Sequence, residues 1–197
     1  MSVDSTLSVF KRDARQRVLV SRGADLVMGI LQRPAAPARR DSLLNGLQRL
    51  ALESDDPNVR LDATNYFGTA GSWRQRISIV EGLRRIYQSR DSLRLRSMVL
   101  DKMPQQADRA AAVGFLRSVA AEPDLNGTDP IHGLFTNGDR RTQALARLSE
   151  MGEDGAAALR AMHRSGEAKS PQAKIILNDM ARRGFPVRDL RRALSQQ

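Results

Sequence analysis

Apolar side chains recur every three or four residues along almost the whole of this 197-residue chain, and no sustained two-residue alternation bounded by turns interrupts them. The first spacing puts one apolar stripe on a helix; the second would put alternate residues on one face of a strand. Leu43, Leu44, Leu47 and Leu50 form one stripe. Val59, Ala63 and Tyr66 form another, with Phe67 beside it. Trp73, Ile77, Val80, Leu83, Ile86 and Tyr87 form a third, followed by Val113, Leu116 and Ala120, then Leu145 and Leu148, then Ile176 and Met180. The chain is therefore expected to be all-α, with a core made by stacking helices on one another.

The residues between the stripes are helix punctuation. Asp56 is placed to cap a helix opened by Pro57, whose missing N–H would be unpaired at that position in any case. Ser170-Pro171 repeats the device, and Pro104 and Pro186 are expected to open helices likewise. Gly68, Gly71, Gly152 and Gly184 stand where helices should stop. This predicts helices near 5–21, 24–32, 38–52, 57–69, 73–89, 92–102, 105–121, 139–151, 154–164, 171–183 and 187–195. Pro34-Ala35-Ala36-Pro37 reads as a stiff connector. An irregular stretch at 122–138 carries Pro123, Asn126-Gly127, Asp129-Pro130 and Asn137-Gly138, all turn chemistry.

The helix starts repeat. Pro57-Asn58-Val59-Arg60 is echoed by Pro171-Gln172-Ala173-Lys174, and more weakly by Leu93-Arg94-Leu95-Arg96 and Arg140-Arg141-Thr142-Gln143-Ala144. Taking Arg60, Arg96, Arg141 and Lys174 as equivalent gives spacings of 36, 45 and 33 residues, the length of a helix pair. Asp56-Pro57-x-Val59-Arg60-x-x-Ala63, followed by Gly68 and a second amphipathic helix, resembles a HEAT repeat of the armadillo-like class. The resemblance covers residues 55–197, with 1–54 as divergent N-terminal helices. Leu93 stands where the second copy would have Pro, and the third copy has no Pro. The resemblance implies a right-handed α-α superhelix, a solenoid of about four to five helix pairs, used to bind other macromolecules. It also implies a structural role for Arg60, bonding across to a neighbouring repeat's turn.

Composition limits the chemistry. There is no cysteine, which excludes disulfides, zinc ribbons, Fe–S ligation and thiol catalysis. His132 and His163 are the only histidines and do not make a zinc site; surface or helix-capping roles suit both. Asp124 to Asp129 offers four oxygen-bearing side chains, but its glycine comes too early for a calcium loop and Phe135 stands where the bidentate acid is needed. No nucleophile elbow, Walker loop or dinucleotide fingerprint occurs. No cofactor, metal or catalytic centre is expected. No apolar stretch approaches the length of a membrane span. Met1-Ser2-Val3-Asp4-Ser5 has neither a basic nor an apolar leader region, which makes the cytoplasm the default expectation; a trimmed exported chain would read the same.

Charge is the remaining signal. Of 32 basic side chains only Lys11, Lys102, Lys169 and Lys174 are lysine, leaving 28 arginines, a skew of the kind codon bias produces. The formal excess of +10 is uneven: residues 57–121 carry 11 basic and 5 acidic groups, a balance of +6, against +2 on either side. Arg74, Arg84, Arg85, Arg94, Arg96, Arg109 and Arg117 are the candidate partner-binding residues, lining one face of stacked helices for an acidic protein or a phosphate backbone. The simpler reading is a solvated face with internal pairs such as Glu81–Arg85. Tyr66, Phe67, Trp73 and Tyr87 could in principle form a base-stacking pocket, as in HEAT-like DNA glycosylases that excise alkylated bases, but helical spacing assigns Trp73 to the core. The expected function is a non-enzymatic scaffold binding another protein through a solenoid face. The alternative is a nucleic-acid-binding module using the basic middle third.

Overall fold

The structure is a computed structural model that describes residues 2–17, 22–33, 37–72, 78–89, 92–123 and 140–185. Among them are ten α-helices and no strand: α1 (Val3–Gln16), α2 (Arg22–Leu31), α3 (Pro37–Glu53), α4 (Pro57–Ala70), α5 (Ile79–Ser89), α6 (Leu93–Lys102), α7 (Arg109–Ala120), α8 (Arg140–Ser149), α9 (Gly152–Ser165) and α10 (Pro171–Arg183). The expected helix at 187–195, Pro186, the turns within 124–139, and Trp73, Arg74 and Ile77 lie outside the described residues.

The chain divides into two compact units, Met1–Ala107 and Asp108–Gln197. Within the first unit α3 and α4 pack against each other across 54/55. In the first unit α1 packs on α2, α3 on α4 and α5 on α6. The odd helices also touch one another in turn, and so do the even ones, giving two layers: α1, α3, α5 and α2, α4, α6. The second unit repeats the arrangement with α7 on α8, α9 on α10, α7 beside α9 and α8 beside α10. Helices adjacent or next-but-one in sequence are thus the main neighbours in space, which is how helix-pair repeats stack.

The stripes supply the core. Val59, Ala63 and Phe67 of α4 are wholly buried, as are Leu43, Leu44 and Leu47 of α3 and Leu83 and Ile86 of α5. Each large apolar side chain removed from water contributes about 1.5–3 kcal/mol before chain entropy is counted. Tyr66 is only half-buried, its ring standing edge-on to Phe10 of α1 at 5.5 Å between centroids. In α10 the buried set is Ala173, Leu177 and Met180, while Ile176 is half-buried at the edge of the stripe.

The caps act as the sequence implies. Asp56 Oδ1 accepts from the Asn58 and Val59 amides at 2.8 and 3.3 Å, and Ser170 Oγ accepts from the Ala173 amide at 3.5 Å. Gly184 follows α10 with φ +79°, and Gly71 ends α4. Gly68 does not stop α4. It lies inside the helix where a Cβ would stand 2.7 Å from Lys102 Cγ, so its smallness serves the packing of α6 on α4. Nor does Pro104 open α7. Met103–Gln105 form a 3-10 turn, and α7 starts only at Arg109, capped by Asp108. Buried Gln106 explains the pause, since its Nε2 donates to the carbonyls of Gly68 at 3.0 Å and Lys102 at 2.7 Å.

Candidate functional site

The recurring basic residue near each helix start proves to be a tie. Arg60, fourth residue of α4, donates to the Ser54 carbonyl at 2.5 Å, just past the end of α3. Arg96, fourth residue of α6, donates to the Tyr87 carbonyl in the last turn of α5 at 3.2 Å. Buried Arg141 of α8 donates to the Pro123 carbonyl, beyond the end of α7, at 3.0 Å. The last carbonyls of a helix have no partner within it and carry partial negative charge, so a guanidinium there satisfies both needs. Each bond stays within one helix pair and does not cross to a neighbouring repeat. The repeated motif therefore begins the second helix of a pair, not the first. Arg40, fourth residue of α3, makes a similar tie to the Arg33 carbonyl at 2.5 Å, past the end of α2, but this one joins one helix pair to the next; Pro37, three residues ahead of it, is the signal that could have found it. Lys174, the fourth member of the sequence set, is exposed.

The candidate partner-binding arginines are not gathered on one helix layer. Arg84 and Arg85 lie on α5, in the odd layer, and share Glu81 at 3.8 and 3.6 Å. Arg94 and Arg96 lie on α6, in the even layer. Arg109 and Arg117 belong to the second unit. There Arg109 binds Asp154 at 2.9 Å and the Met151 carbonyl, tying α7 to the start of α9. Arg117 forks onto Glu167, which follows α9. Arg74 is outside the described residues. Of the aromatic group, Phe67 and Tyr87 are in the core, and Tyr87 carries the Arg96 guanidinium over its ring at 5.4 Å. Exposed His163 lies in the last turn of α9, where its cationic form would suit the helix dipole.

No match was found among protein-family models, curated proteins or solved structures. What the chain offers a partner must be read from its own surface.

On the outer side of the even layer several charged and polar groups act on one another. Asp62 and Tyr66 of α4 stand at its centre, with Asp25 on α2 to one side and Arg94 on α6 to the other. Partial burial raises the Asp62 carboxyl above the usual carboxylate value, and the Arg94 guanidinium pulls it partly back. Burial also raises the Tyr66 hydroxyl, helped by the negative fields of Asp62 and Asp25. Along the same seam Lys102 Nζ donates to Thr69 Oγ1 at 3.2 Å, and burial lowers its ammonium below the ordinary lysine value against the opposing field of Asp101. Sequence reasoning named Arg94 and, as a core residue, Tyr66. It missed Asp25, Asp62 and Lys102, because periodicity shows that a residue faces outward without showing which other helix it faces.

These groups can make hydrogen bonds, a cation–π contact and ion pairs of both signs. Among the described residues no cluster of three histidines or carboxylates could hold a metal ion, and no helix is long and apolar enough to cross a membrane.

Proposed function

We propose that this chain is a non-enzymatic scaffold, a HEAT-like right-handed solenoid that binds another protein through the outer face of α2, α4 and α6. The observation that carries the reading is Asp62. Exposed on α4, it sets a negative charge beside the half-buried Tyr66 ring and the positive Arg94, a mixed patch open to a partner. Mixed charge around a half-buried aromatic ring also suits a protein partner better than a phosphate backbone, which calls for cations alone.

The test is site-specific photo-crosslinking in the source cells. A photoreactive residue at Met98 or Thr69, on the even layer, should give a discrete protein adduct that Asp62→Lys abolishes. The same residue at Arg12 or Gln88, on the odd layer, should not. Adducts from the odd layer alone would remove the reading.

A nucleic-acid module is the second reading, favoured by the charge balance of +6 carried by residues 57–121. It requires binding to a random-sequence duplex that weakens steeply and linearly in log salt and is lost on reversing the charges of Arg84, Arg85, Arg94 and Arg96. No duplex binding at low salt eliminates it.

A further inference from the structure

On the odd layer a groove of about 480 Å³ runs between α1 and α3. Its volume falls within the roughly 300–1,000 Å³ typical of small-ligand sites. Buried Leu7 and the bare backbone of Gly46 lie beneath it. A Cβ at Gly46 would stand 2.3 Å from Leu7 Cδ1, so a larger residue there would push the tip of the leucine aside. Around this apolar floor stand Asp4 on α1 and Ser42, Asn45 and Arg49 on α3, all exposed.

Among the described residues, exposed charged and polar side chains are paired in some places and open in others. The arginines at 12, 15, 40, 60, 84, 85, 96, 109, 117, 140, 141 and 147 each reach a carboxylate or a carbonyl. Among the described residues, by contrast, Asp4 and Arg49 form no ion pair with each other or with any other residue, and the side chains of Ser42 and Asn45 make no hydrogen bond. An anion and a cation line the same groove without closing on one another, and an amide and a hydroxyl accompany them.

We propose that this groove binds a small zwitterion of the dipeptide class. The ligand's ammonium pairs with the Asp4 carboxylate. Its carboxylate takes the planar fork of Arg49, which presents two parallel donors. The Asn45 amide carries both a donor and an acceptor and so matches the two polar groups of a peptide bond, with the Ser42 hydroxyl alongside. Small apolar side chains of the ligand cover Leu7. A molecule with only one charge would leave the other wall unpaired.

The experiment is a titration of the uniformly ¹⁵N-labelled full chain with glycylglycine, followed by proton–nitrogen correlation spectra. Glycylglycine should shift the Gly46 backbone amide and the Asn45 side-chain amide saturably. N-acetylglycylglycine and glycylglycinamide, each lacking one charge, should bind about tenfold more weakly, a difference of about 1.4 kcal/mol. Asp4→Asn and Arg49→Gln should each weaken glycylglycine binding about tenfold while the rest of the spectrum keeps its folded dispersion; both positions are exposed, so neither change threatens the fold. No shift at Gly46 and Asn45, equal shifts with the singly charged analogues, or unchanged binding in both variants would overturn the proposal. None of these results bears on the even-layer surface, which shares no residue with the groove.

Discussion

Arg96 clasps Tyr87 twice: its Nε donates to the tyrosine's carbonyl at 3.2 Å, and its guanidinium carbon stands 5.4 Å from the centre of the same residue's ring. The two contacts join the start of α6 to the last turn of α5. Arg96→Ala should cost about 2 kcal/mol, combining a charge-assisted hydrogen bond with a partly desolvated cation–π contact. Arg96→Lys should recover less than half of that, because an ammonium cannot stack flat on the ring while donating sideways. Chemical denaturation of the three proteins checks this. Equal stability of the alanine variant would show that the clasp contributes nothing.

Two glycines should respond oppositely to the same substitution. A Cβ on Gly23 of α2 would stand 2.4 Å from Phe10 Cα and 2.6 Å from Phe10 N, atoms that cannot move without moving α1. Gly23→Ala should destabilise by about 2–3 kcal/mol. Gly114, in the interior of α7, has nothing within 4 Å of its would-be Cβ, so Gly114→Ala should stabilise by about 0.5–1 kcal/mol. Melting curves of the two single variants decide the matter.

The helices and their caps are the part of this fold that local sequence carries. Asp56-Pro57 and Ser170-Pro171 cap where expected because a cap is an interaction between residues two or three apart. The start of α7 was not visible in the same way. It is delayed by Gln106 reaching back to the Gly68 carbonyl, 38 residues away, and no local pattern encodes such a bond. The motif around Arg60 announced a repeat, yet its place as the second helix of a pair depends on which neighbour α4 packs against. The groove at Asp4 and Arg49 was missed for the same reason, since its walls are 45 residues apart in sequence.

Asp62→Asn separates stability from binding. Burial raises the Asp62 pKa, so the folded state holds the proton more tightly than the unfolded chain does. The carboxylate's contribution is therefore most favourable below the unfolded value near 3.8 and becomes a cost once the pH has risen through the higher folded value. At neutral pH the neutral asparagine should melt slightly higher than wild type, and the gain should vanish in acid. The same variant should weaken the crosslink at Met98. A lower melting temperature at neutral pH would mean that the pair with Arg94 outweighs the desolvation.

Glu167 should behave in the opposite sense. Hydrogen bonds from Arg117 and then Ser165 hold its carboxyl below the ordinary value of 4.5. Its contribution is complete above that value and is lost as the pH falls through the depressed folded value. The pair is largely exposed, so the effect is modest. Glu167→Gln should lower stability at pH 7 and flatten its decline in acid, measured by denaturant midpoints from neutral to acidic buffer. A parallel decline in both proteins would assign the acid sensitivity elsewhere.

The two-layer packing also sets how each unit comes apart under load. A helix that touches mainly its nearest followers in the chain can be peeled away without dismantling the rest. Pulled from its ends, a unit should yield pair by pair at low force, as a row of small steps, and wind back quickly when released, because each lost contact is re-formed across a short loop of chain. Such a body stretches and recovers as a row of springs does, one helix pair at a time.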